Sequence, residues 1–177
     1  FEEGSDGFHS EAKMEVVSGQ GRTGEAALKV THQGSGWSMT MLPGVAWQVG
    51  CEYEFSLWVK AADDHTSQVK FAVNYTMATP EHGAQVILET FPVNQEGWTQ
   101  VVGRYVILPE DPIGVMCFYV TVGQDANPNG SFYIDDWSVS RVTGAGRLSA
   151  SSPADGAVDV PITSDVQLIF SDDVDPA

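Results

Sequence analysis

The stretch Tyr53-Glu54-Phe55-Ser56-Leu57-Trp58-Val59-Lys60 leaves little room for anything but a strand, because Tyr, Phe, Leu and Val alternate with Glu, Ser, Trp and Lys. Side chains of a strand point to opposite faces in turn, so a period of two buries one face and leaves the other polar. Val69 to Thr76 repeats the alternation. Further β-rich runs follow at short spacing: Lys13 to Val17, Ala26 to His32, Trp37 to Leu42, Gln85 to Phe91, Trp98 to Leu108, Val115 to Val122 and Phe132 to Val139. Turn residues separate them, among them Gly19 to Gly24, Gly34-Ser35-Gly36, Asn94 to Gly97 and Asp125 to Gly130, with Ala78 to Gly83 as a loop. No window holds an amphipathic helical period beyond about two turns. The pattern predicts an all-β sandwich or barrel, with the Tyr53 side of its strand facing inward.

Phe132-Tyr133-Ile134-Asp135-Asp136-Trp137-Ser138-Val139 sets two adjacent acids among aromatic and branched residues. Regular alternation sends Asp135 and Asp136 to opposite faces, so either one of them has a polar or ionic partner or the strand ends near Asp135 and both are solvated at a loop. The overall charge limits what a ligand can be. Against 24 acidic residues stand 8 basic ones, a net of −16. Such a field repels phosphate backbones and anionic lipid, which argues against nucleic acid and membrane surfaces as partners. It suits a neutral ligand, divalent cations or simple solubility. No apolar run reaches about 18 residues, so none reads as a membrane-spanning helix. The histidines, His9, His32, His65 and His82, lack metal-ligand spacing. Cys51 and Cys117 fall on different kinds of face by parity, and their pairing stays open.

At 177 residues the chain fits one ordinary domain with an appendage. The sandwich occupies residues 1–142. Gly, Ala and Ser then dominate through Ser152, the signature of a linker over 143–152. The segment 153–177 holds one clean strand signal, Val166 to Phe170, and is too short for a core of its own. A chain starting at Phe1 rather than Met is expected to be a processed product or a piece of something larger. Two motif echoes carry no weight: Asp125 to Asp136 copies an EF-hand spacing without helical flanks, and Gly19 to Gly24 a dinucleotide fingerprint without a following helix.

A set of blocks in order resembles a known family: Phe1-Glu2-Glu3-Gly4, Gly24-Glu25-Ala26-Ala27-Leu28-Lys29-Val30, Trp37, the Tyr53–Lys60 strand, Gly97-Trp98-Thr99-Gln100 and Phe132–Val139. Together they are similar to the carbohydrate-binding modules of families 4, 9 and 22. The resemblance implies a β-jelly-roll of two antiparallel sheets. It also implies a groove on one sheet that binds soluble β-glycan chains, xylan or mixed-linkage β-glucan, without catalysis. The tail from Ser151 resembles the start of a bacterial immunoglobulin-like domain, which suggests a modular secreted enzyme, a glycoside hydrolase, of which this chain is a part; the module itself is expected to be a monomer. Two departures stand out. Gly7-Phe8 replaces the usual Gly-Trp pair, and Thr121 stands where xylan-binding members carry a Glu.

A glycan groove needs flat aromatic platforms for C–H faces and polar groups for sugar edges. Trp37 and Tyr119 match the groove aromatics of the family, and strand parity puts Tyr119 and Thr121 on an outer face. Tyr75 is a further aromatic candidate. Gln85 and Glu89 share parity on one strand and, with Asn74, are expected to serve sugar hydroxyls. Arg22 offers fixed guanidinium donors, suited equally to sugar or to carboxylate. The resemblance also implies a structural calcium where the N-terminal block meets the last strand, with carboxylates from Glu2 and Asp135 and carbonyls from the Gly24 to Lys29 region. Two other readings compete: a jelly-roll glycoside hydrolase or lyase, which needs two facing carboxylates, and a structural extracellular domain without ligand.

Overall fold

The computed structural model describes residues 1–10, 12–32, 39–74, 85–114, 116–122, 130–142, 148–152 and 167–170. Its strands are β1 (His9–Ser10), β2 (Lys13–Ser18), β3 (Ala26–Thr31), β4 (Thr40–Met41), β5 (Glu52–Ala61), β6 (Gln68–Asn74), β7 (Gln85–Pro92), β8 (Thr99–Val106), β9 (Cys117–Thr121), β10 (Ser131–Arg141), β11 (Leu148–Ser152) and β12 (Gln167–Phe170). They form two five-stranded sheets, β1-β4-β9-β6-β7 and β2-β3-β10-β5-β8, every pairing being antiparallel. The predicted all-β sandwich is the observed fold.

Alternation decides what lies between the sheets. In β5 each odd-numbered residue from Tyr53 to Ala61 is buried and each even-numbered one only half-buried. Phe55 faces Phe71 and Phe118 of the first sheet at ring-centroid distances of 5.3 and 4.3 Å. Leu28, Val30, Leu57, Val59, Val101, Phe132 and Ile134 complete the second sheet's contribution. Burying each such side chain contributes about 1.5–3 kcal/mol. Trp47, unassigned by sequence, caps this cluster edge-on against Tyr53 and Phe118, with centroids 5.0 and 5.2 Å away. Trp137 packs edge-on against Phe8, with ring centroids 5.6 Å apart. Cys51 lies in the core and Cys117 on the outer side of β9, and no disulfide joins them.

His32 closes one end of the core. It is fully buried beside Phe132, and among the described residues neither ring nitrogen has a hydrogen-bond partner. Burial alone lowers its pKa to about 4 from 6.5. The folded chain therefore refuses a proton that the unfolded chain accepts below pH 6.5, so stability falls as pH drops from about 6.5 towards 4. The expected loss from this group is about 2 kcal/mol between pH 7.5 and 5. Denaturant unfolding of the native chain and His32→Phe at both pH values measures it. An equal pH loss in both proteins would rule out His32 as the source.

Several elements differ from expectation. The two-residue β1 is too short to show a period. In β10 the pairing with β5 shifts register between Asp135 and Ser138, and Asp136 takes φ 48°, a left-handed conformation that Asp tolerates better than most residues. This bulge breaks the alternation expected for the two acids. In β7 a register shift beside Phe71 pairs Glu89 with the inward Phe71 but Gln85 with the outward Asn74. The expected common face of Gln85 and Glu89 is thereby lost. The stretch expected as linker also contains β11, which pairs with β12 from Leu148↔Phe170 to Ser152↔Gln167.

Candidate functional site

Inward packing of Val69, Phe71 and Val73 in β6 and of Phe118 and Val120 in β9 turns their neighbours to the outside of the first sheet. Register arranges those neighbours in three rows across the strands. The central row is Met41, Tyr119, Ala72 and Ile87. On one side lie Cys117, Asn74 and Gln85, and on the other Thr121, Lys70 and Thr90. An apolar strip between two polar strips has the chemistry of a sugar chain, whose rings show C–H faces and hydroxyl edges.

Tyr119 does lie on the outer face, but it is fully buried, packed with Met39, Ala72 and Met41. Burial, with Cys117 nearby, pushes its phenol up to about 12, so it stays neutral at any ordinary pH. An enclosed ring cannot be the open platform that sequence suggested; it is a layer beneath the surface. Thr121 and Asn74 are likewise buried, and the Asn74 Nδ2 donates to Met39 Sδ at 3.2 Å. Accessible groups occupy the flanks: Lys70 half-buried, Thr90 and Ile87 exposed on the β7 side, Met41 half-buried on the other. Beside Met41 a cavity of about 440 Å³ opens among Gly7, His9, Trp47, Met116 and Cys117. Glu89 is exposed, on the register of the inner face at the sheet edge. Trp37 and Tyr75 lie outside the described residues, and of Gln85 only its strand position is described. Lys70, Ala72 and Ile87 were missed by sequence reasoning, although the inward alternation of Val69, Phe71 and Val73 already marked Lys70 and Ala72 as outward.

Arg22 is not on this face. Its guanidinium lies 3.7 Å from the centroid of the Trp58 ring on the second sheet and pairs with the Asp136 carboxylate. The Thr23 hydroxyl also donates to Asp136. Asp135, 3% exposed, accepts backbone N–H groups from Arg22 at 2.6 Å, Thr23 at 3.3 Å and Asp136 at 2.9 Å. The β10 bulge thus brings both acids to the same turn, Arg22-Thr23, instead of to opposite faces. Glu2 grips the far end of that turn: its Oε1 accepts from the amides of Glu25 at 2.8 Å and Ala26 at 3.1 Å. The Ala26 and then the Glu25 hydrogen bond hold its pKa below the usual carboxylate value. At Gly24, φ +77°, the left-handed backbone favours glycine, and a Cβ there would push the Glu2 carboxylate aside. Two carboxylates at one turn suit a hard cation in ligand type. Among the described residues no three of His, Cys, Asp and Glu gather there, so turn carbonyls would have to supply the remaining oxygens.

The family model described as "Carbohydrate binding domain" (CBM_4_9) matches residues 1–129. No curated protein matches the chain. Among solved structures, the CBM22-1 xylan-binding domain of Paenibacillus barcinonensis superposes with a TM-score of 0.64 at 17% identity, covering 80% of this chain and 89% of that one. The C-terminal family 22 module of a Clostridium thermocellum protein gives 0.63 at 17%, covering 79% and 89%. The Clostridium thermocellum CBM22-1–GH10 xylanase fragment complexed with xylohexaose gives 0.61 at 20%, covering 82% of this chain but 28% of that one. At these identities the likeness establishes the sandwich. The match to the family model stops before β10, yet β10 pairs with both β3 and β5 and is part of the same sandwich.

Proposed function

Because the chain belongs to the carbohydrate-binding domain family, we propose that it binds soluble β-linked glycan, xylan or mixed-linkage β-glucan, along the outer face of its first sheet. The observation that carries this reading is the apolar row Met41-Tyr119-Ala72-Ile87 between two polar rows. The glycan rests on the accessible flanks, with Lys70 and Thr90 serving hydroxyls on one side, while Tyr119 stiffens the floor from below. Trp37 and Tyr75 enter as ring platforms on the family resemblance alone. The module holds the chain without cleaving it and serves a catalytic domain of the same secreted parent protein.

Affinity electrophoresis against xylan, mixed-linkage glucan, laminarin and mannan, run beside a reducing-sugar assay, tests the proposal. Retardation by xylan or mixed-linkage glucan without product is the expected result, weakened about tenfold or more by Trp37→Ala with Lys70→Ala. Product formation would make the protein an enzyme, and no retardation at all would make it a structural domain.

A structural calcium belongs to the same reading. Glu2 and Asp135 would hold it from either end of the Arg22–Ala26 turn, with carbonyls of the Gly24 to Lys29 stretch. The ion would tie the N-terminus to β10. Chelation is then expected to lower the melting temperature by several degrees with little change in glycan affinity. A melting curve that chelator leaves unmoved would remove calcium from the account.

A further inference from the structure

The outer face of the second sheet collects the positive charge of a chain that has little of it. Of 8 basic residues, Lys13, Lys29 and Lys60 take outward register positions on β2, β3 and β5, Arg104 joins Glu54 on β8, and Arg22 lies over Trp58. Three of these cations are neutralised locally: Lys13 by Glu15 at 3.1 Å, Arg22 by Asp136 and Arg104 by Glu54. Lys29 and Lys60 are different. Both stand directly opposite Tyr133, one on each neighbouring strand. Among the described residues neither forms an ion pair, and the Lys29 ammonium lies 6.0 Å from the centroid of the Tyr133 ring. Glu15 is opposite Lys29 in register, yet its carboxylate bridges Lys13.

Tyr133 is an amphipathic ring with a lysine directly opposite on either side, the two lysine backbones standing about 10 Å apart, two strand spacings. We propose that Lys29, Tyr133 and Lys60 form a second binding site, on the sheet opposite the groove, for a glycan bearing uronate carboxylates. The ring offers an apolar face to a sugar C–H face and a hydroxyl to its edge, while the lysines act as point charges on the carboxylate. The net charge of −16 selects a sparsely charged chain over a dense polyanion, because charge beyond about one Debye length of the lysines meets the repulsive remainder of the surface. The choice of a saccharide rests on the carbohydrate-binding reading above; the two lysines beside Tyr133, without an ion pair among the described residues, do not.

The test is a titration of the isotope-labelled chain, read by backbone amide shifts, with xylohexaose and with a xylo-oligosaccharide carrying one glucuronate side group. Xylohexaose moves only groove amides. The substituted sugar is expected to move a second set as well, at Lys29, Lys60 and Tyr133, and to lose it at high salt. Lys60→Met and Tyr133→Ala each weaken that second set about tenfold, Lys60→Arg retains it, and Lys60→Met leaves the xylohexaose response intact. A normally dispersed spectrum shows that each variant is folded. The proposal is overturned if the second set never appears, survives Lys60→Met unchanged, is reproduced by sodium chloride, or arises from protein concentration alone through docking on the acidic surface of another copy. Loss of the xylohexaose response with the second set intact would refute the groove and leave this site standing.

Discussion

Gly103→Ala is expected to lower the unfolding free energy by about 2–3 kcal/mol, a large effect for one methyl group. Gly103 is buried in β8, opposite Phe55, and its φ is not in the left-handed region, so backbone freedom is not the reason for glycine. Space is. A Cβ there would fall 2.1 Å from Phe71 Cε1 and 2.3 Å from Cδ1. Phe71 has nowhere to retreat, being fully buried with Phe118 stacked at 6.0 Å and Phe55 tilted at 5.3 Å. The absence of a side chain in the second sheet is what lets the Phe71 ring of β6 cross the interface, so the glycine sets how closely the sheets approach. Denaturant unfolding of Gly103→Ala, Phe71→Leu and the double variant checks this. The double variant should be distinctly more stable than the sum of the single losses requires. Simple additivity would mean that the two positions do not compete for the same space.

The second large effect is expected at Asp135. Its carboxylate accepts three backbone N–H groups, from Arg22, Thr23 and Asp136, in a site 3% exposed. Bonds to a charged acceptor are worth about 1.5–3 kcal/mol each, and donors left buried without an acceptor add their own cost. Asp135→Ala should therefore cost about 3–4 kcal/mol, Asp135→Asn less because its carbonyl oxygen still accepts. Asp136 plays a lesser part: its links to Arg22 and Thr23 are exposed, and exposed pairs contribute little. Its conformation matters more, so Asp136→Gly should be nearly neutral and Asp136→Val should cost about 1–2 kcal/mol through the positive φ. Equal losses for Asp135→Ala and Asp136→Gly in thermal melts would contradict this division of roles.

What was legible in the sequence follows from which signals are local. The period of two in Tyr53–Lys60 reports a local rule, and β5 obeys it residue by residue. The Tyr119 position on an outer face followed from the same rule. Its burial did not, because cover comes from Met41 and Ala72 on neighbouring strands and from Met39 just before β4. Bulges are equally invisible: one extra residue in β10 turns Asp136 to the side of Asp135, and another in β7 separates Glu89 from Gln85. The ordered blocks pointed to the family because they mark turns and closing strands that any such sandwich needs. Arg22 illustrates the limit from the other side. Its donors suited sugar and carboxylate equally, and only the folding of the Gly19–Gly24 turn onto β10 decided for Asp136.

The central claim is that a neutral β-glycan lies on the outer face of the first sheet. Titrating the isotope-labelled chain with xylohexaose and with a mixed-linkage gluco-oligosaccharide, and reading backbone amide shifts, tests it most directly. The account predicts saturable shifts centred on β6, β7 and β9, strongest around Lys70, Ala72 and Ile87, with β2 and β8 silent. Shifts confined to the second sheet, or none with either sugar, would contradict it.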